Sequence, residues 1–97
     1  MSAEFDLAVE EWLGVLAELW TAVGKLLEMD RLEIYRKSLG EVPLGLLELA
    51  VGRVIRENIY HVVPLPGVVW DAVRRELGEP WDIKIAMEEW VERLWQF

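Results

Sequence analysis

The chain has no cysteine. Disulfides and thiolate metal centres are therefore excluded, and cysteine usage says nothing about redox compartment. It has a single histidine, His61, so neither a histidine-based metal cluster nor a Ser-His-Asp triad has material to build on. No glycine-rich phosphate loop is present: Gly14, Gly24, Gly45 and Gly52 fall inside predicted helices, not in a strand-to-helix turn. No uninterrupted apolar run approaches the ~18–20 residues that a bilayer-spanning helix needs. The opening M-S-A-E-F-D lacks the basic residues that precede the apolar run of a signal peptide. A soluble protein of the cytoplasm, with no membrane association, is the expectation.

What the chain does have is apolar surface. Its 97 residues make one domain, 1–97, of a size at which a single core is adequate but not generous. Yet 54% of the residues are hydrophobic, above the usual ~45–50%, and six are tryptophan. A domain this small has too much surface to hide all of that, so part of it is expected to face a partner. Self-association is the simplest arrangement.

The net charge of −8 is unevenly placed. Residues 1–30 carry seven acids against one base, a net of −6; residues 31–75 carry seven bases against five acids, a net of +2. Residues 76–97 carry six acids against two bases, a net of −4. The whole-chain field opposes nucleic-acid binding, so nucleic acid is not the expected partner. Acidic ends against a basic middle, within or between subunits, would be a natural pairing.

Periodicity predicts five helices with short connections, an all-α bundle with a long N-terminal helix, and no repeat or linker that would divide it. The first helix is predicted from Ala3 to about Met29. Phe5, Val9, Trp12, Leu16, Leu19, Val23 and Leu26 form a seam of 3.5-residue period about seven turns long, more than a core this size needs. Asp30 is a candidate cap for a short second helix, Arg31 to about Leu39, with Glu33 completing a capping box and Gly40 closing it. Pro43 is placed in the first turn of the third helix, whose stripe is Leu46, Leu47, Ala50, Val51, Val54 and Ile55. Residues 59–65 read as an extended connector held out of helix by Pro64 and Pro66. Pro66 starts the fourth helix, with Val69, Trp70, Val73 and Leu77 inward, and Gly78 ends it. Asp82 caps the fifth, whose apolar face is Ile83, Ala86, Met87, Trp90, Val91, Leu94 and Trp95.

Three groups of residues are candidates for function. Glu79, Asp82, Glu88, Glu89 and Glu92 resemble the E-x-x-D and E-E-x-x-E elements of all-α nucleotide pyrophosphohydrolases, which hold Mg²⁺ between two helices. Here the two elements stand in the opposite order and too close together, so a solvated acidic face is expected, with no cofactor and no metal site. Arg53, Arg56, Arg74 and Arg75 would form one basic patch if the third and fourth helices lie side by side. Pairing with Glu57, Asp71 and Glu76 is the expected use; contact with DNA or an acidic partner is the alternative. Among the tryptophans, Trp12, Trp20, Trp70 and Trp90 fall on helix stripes. Trp81 and Trp95, at a helix start and near the chain end, are expected to anchor a protein partner, and Trp12 on the overlong first helix is a further candidate contact.

The segment Trp20–Leu77 also carries an ordered set of elements: Leu19-Trp20, Tyr35, Leu39, Val42-Pro43, Ala50, Asn58 to Tyr60, and Pro64 to Pro66. In this order it resembles the small helical N-terminal domain of phage replication proteins of the replicative-helicase loader or inhibitor type. The resemblance covers roughly 60% of the chain. It implies an all-α phage or mobile-element adaptor in the host cytoplasm that works through protein contacts, with a replicative helicase as partner and no enzymatic activity; the homodimer expected from the surplus apolar surface would form through the long first helix or the last helix. Members carry a further C-terminal region that engages the helicase, whereas this chain ends in the Trp-bearing helix Asp82–Phe97.

Overall fold

The structure, a computed structural model, describes the backbone of residues 3–57 and 62–94 and the side chains of residues 10–57 and 62–93. Five helices are present among the described residues: α1 (Ala3–Ala22), α2 (Met29–Leu39), α3 (Leu44–Glu57), α4 (Pro66–Glu76) and α5 (Ile83–Leu94). The expected all-α bundle with a long first helix is the fold.

The first helix stops earlier than its seam suggests. Gly24 sits in the left-handed region at φ 68°. The Lys25 amide donates to the Trp20 carbonyl and the Gly24 amide to that of Thr21, both at 3.0 Å. This is the Schellman closure, which satisfies the orphan carbonyls of a helix end and turns the chain away. The predicted helix to Met29 is thereby corrected to one ending at Ala22, and Leu26 lies 91% exposed instead of on the seam. The second helix differs too. It begins at Met29, so Asp30 lies in its first turn and is no cap; the N-cap is Glu28, without a side-chain cap bond. Glu33 pairs with Arg36 at 2.6 Å instead of reaching back to complete a box. Pro43 precedes α3, its carbonyl accepting from the Leu47 amide, where the sequence placed it inside the first turn.

The remaining punctuation is as read from the sequence. Pro66 opens α4, and a second Schellman closure ends it: the Glu79 amide donates to Arg74 and that of Gly78, at φ 81°, to Arg75. Asp82 caps α5, its Oδ1 accepting from the Lys84 and Ile85 amides at 3.0 and 3.2 Å.

α3 packs against both α1 and α4, and α2 packs against the same two, so four helices close a ring in the order α1, α3, α4, α2. Its centre holds Leu16, Leu19 and Trp20 from α1, Leu46, Leu47, Ala50 and Val51 from α3, and Val69 and Val73 from α4, each with 2% exposure or less. The two-residue-wide stripe of α3 is what allows it to serve two neighbours at once. Tyr35 of α2 meets Trp20 edge to face, with ring centroids 5.1 Å apart, and its hydroxyl donates to the Pro64 carbonyl. That bond ties α2 to the strap that leads into α4. α5 lies outside the ring, and Trp90 docks it onto Gly45, where an added Cβ would stand 2.9 Å from the indole.

No helix among the described residues is long and apolar enough to cross a membrane.

Candidate functional site

The left-handed turn after α4 decides where Trp81 goes. Gly78 at φ 81° and Glu79 at φ 54° reverse the chain, and Pro80 fixes the next step. Trp81 is carried outward and is fully exposed, the largest apolar group the described chain leaves in solvent. It borders a cleft of about 520 Å³ lined also by Asp71, Arg74, Arg75, Glu79 and Pro80. On the other side of α4 lies an apolar groove of about 390 Å³, floored by Val54 and Ala72 and rimmed by the exposed Val62, Leu65 and Val68. Asp71 and Arg75 line both hollows, so the groove and the Trp81 cleft flank a single ridge of α4.

The electrostatics of the ridge follow from α3 and α4 lying side by side. Arg53 reaches across to Glu76 at 2.7 Å and along its own helix to Glu57 at 3.8 Å. Arg75 reaches back to Glu57 at 3.5 Å. The hydrogen bond that Arg53 donates to the Glu76 carboxylate leads the effects that raise its guanidinium above its ordinary value. Two of the four patch arginines are thus held by acids, the use expected from the sequence, although Asp71 takes no part in an ion pair among the described residues. Arg56 and Arg74 are exposed and have no ion pair among the described residues. Arg74 stands in the Trp81 cleft.

Elsewhere the predicted candidates separate. Trp12 is half-buried against the core and its indole N–H donates to the Val42 carbonyl at 2.9 Å, tying α1 to the turn before α3. Trp70 donates in the same way to the Ser38 carbonyl at 3.1 Å. Trp95, and the connector from Asn58 to His61, lie outside the described residues. Glu88, Glu89 and Glu92 are exposed along α5, and the described residues contain no group of three or more His, Asp or Glu side chains able to hold a metal ion. Two further shifts belong to the frame. Burial pushes the Tyr35 phenol above its ordinary value, and the Arg36 guanidinium holds the exposed Glu33 carboxyl below the usual carboxylate range.

The groove residues Val62, Leu65 and Val68 were not singled out from the sequence. Their signal is the run I-Y-H-V-V-P-L-P-G-V-V, in which apolar residues follow neither a helical nor an alternating period. Val62 and Leu65 lie in the strap before α4 and Val68 in its first turn, and none of the three turns its side chain into the core.

The fold places the chain in the class of all-α helical bundles. No protein-family model, no curated protein and no solved structure matches the chain.

Proposed function

We propose that the chain is a non-enzymatic protein-interaction module that engages its partner through the α4 ridge, with Trp81 as anchor and Arg74 beside it. The observation that carries this reading is the full exposure of Trp81 on a turn whose backbone holds it out of the core. A tryptophan offers on the order of 150–250 Å² of rigid amphipathic area, and exposed Trp and Arg are the residue types that dominate interface energetics. The adjoining apolar groove supplies the surface that a partner would cover next.

The resemblance to phage helicase loaders and inhibitors gives this reading its concrete form: a replication accessory factor that binds a replicative helicase and self-associates as a homodimer. Interferometry against purified replicative helicases tests it. A complex at micromolar concentration supports the replication form, and no complex removes it.

The two other readings have less behind them. DNA binding would draw on the arginine patch, but Arg53 and Arg75 already face Glu57 and Glu76, and binding that is absent or insensitive to salt would exclude it. Mg²⁺-dependent nucleotide hydrolysis would need Glu79, Asp82, Glu88, Glu89 and Glu92 to converge. Turnover of nucleoside triphosphates that Glu89→Gln abolishes would restore that reading.

A further inference from the structure

The four-helix ring of α1, α3, α4 and α2 is closed without α5. α5 sits on its outside through a short apolar contact. Met87 is its one buried side chain among those described, Ile83 and Trp90 are half-buried against the core, and Ile85 is exposed. No ion pair joins α5 to the ring among the described residues. Its side-chain hydrogen bonds among them are those of its own Asp82 cap. A cleft of about 210 Å³ runs between α5 and the turn before α3, with Glu41 and Pro43 on one wall and Lys84, Met87, Glu88 and Val91 on the other. The seat is nevertheless fitted to this helix, because a Cβ at position 45 would stand 2.9 Å from the Trp90 indole and the ring would have to shift.

The hinge is strained where the seat is slight. Glu79 is the one non-glycine residue of the described chain in the left-handed region, a conformation that opposes an L side chain. It follows Gly78 directly and precedes Pro80, so the reversal is made in very few residues. A short strained hinge leading to a lightly held terminal helix is the arrangement that favours exchange of that helix between copies, since the exchanged form keeps every contact and relaxes the hinge.

We propose that this chain forms a homodimer by exchanging α5: the hinge Leu77–Asp82 opens, and the α5 of each copy seats its Trp90 on Gly45 of the other. The occupant is a second copy because the seat already accepts this helix and an identical helix makes identical contacts. The inference rests on the self-association proposed above and specifies its geometry.

The absence of native cysteine makes the test clean. Glu41→Cys and Glu88→Cys are exposed positions on opposite walls of the α5 cleft. The two single variants, unfolded, mixed, refolded together and treated with a short bis-maleimide, become covalently joined chain to chain at positions 41 and 88 if α5 is exchanged. Peptide mapping identifies the 41–88 link. Glu79→Gly, which removes the left-handed penalty from the closed hinge, is expected to lower the yield of that link about fivefold, equivalent to ~1 kcal/mol. Two results would overturn the proposal. A chain that scatters light as an 11.3 kDa monomer at every concentration removes self-association altogether. A dimer of the mixed single variants that yields no 41–88 link, while the double variant Glu41→Cys/Glu88→Cys links within its own chain, leaves self-association standing and removes the exchange.

Discussion

Two glycines of the first helical segment should respond in opposite directions to the same substitution. Gly14 lies within α1 in open space, with nothing within 4 Å of an added Cβ. Alanine there removes the penalty of a glycine in an exposed helix interior and stabilises by about 1 kcal/mol. Gly24 also has open space around its Cβ, so no packing term enters, but its φ is 68°. An L residue in that conformation costs about 1–2 kcal/mol. Restricting the unfolded chain returns about 0.4–1 kcal/mol, which leaves Gly24→Ala destabilised by about 1 kcal/mol. For a domain this size each kcal/mol moves the melting point by about 4–8 °C, so the two variants should melt about 8–16 °C apart, on opposite sides of wild type. Circular dichroism melts and urea titrations with an unchanged m-value check this. If Gly24→Ala is as stabilising as Gly14→Ala, the helix runs on through Gly24, and the Schellman closure described above is wrong.

The remaining predictions concern the core, the cap and the strap. Leu47→Ala at the fully buried centre of α3 should cost about 2–5 kcal/mol by urea unfolding, whereas Trp81→Ala should stay within about 0.5 kcal/mol of wild type. Asp82→Ala removes the cap of α5 and should raise hydrogen exchange through Ile83–Leu94, at about 1 kcal/mol, while leaving the four-helix ring protected. Tyr35→Phe loses the bond to Pro64 and about 1 kcal/mol near neutral pH. The Tyr35 phenol is raised in the folded state, so its contribution is complete below the ordinary phenol range and is lost as pH rises through the folded value. Alkaline titration should therefore destabilise wild type more steeply than Tyr35→Phe, and equal slopes would show that Tyr35 is not the responsible group.

Much of the architecture was legible in the sequence because periodicity and punctuation agreed. Pro66, Gly78 and Asp82 bound their helices where their chemistry requires, and the double stripe of α3 announced a helix with two neighbours. The first helix was misread because its seam continues in register through Val23 and Leu26, past a glycine that ends it by backbone conformation alone. Periodicity reports which residues are apolar and is blind to the sign of φ. The cap at Asp30 failed for a related reason: the helix starts at Met29 instead of Arg31, which puts the acid inside it, and Arg36 claimed Glu33. At the surface, the pairing of Arg53 with Glu76, 23 residues away, could be named as an option but not chosen over its rivals, because it depends on how α3 is rotated against α4. The groove beside α4 was not assembled from pattern alone, since it brings Val54 of α3 and Val68 and Ala72 of α4 together with the strap residues Val62 and Leu65.

The most direct test of the α4 ridge is a binding titration of purified replicative helicases with wild type, Trp81→Ala and Arg74→Ala, beside Glu48→Ala as a surface control on α3. A central aromatic anchor is worth about 2 kcal/mol or more, so Trp81→Ala should weaken the complex about 30-fold or more. Arg74→Ala should weaken it less, and the control not at all. A complex that forms and is equally tight with Trp81→Ala would contradict the account.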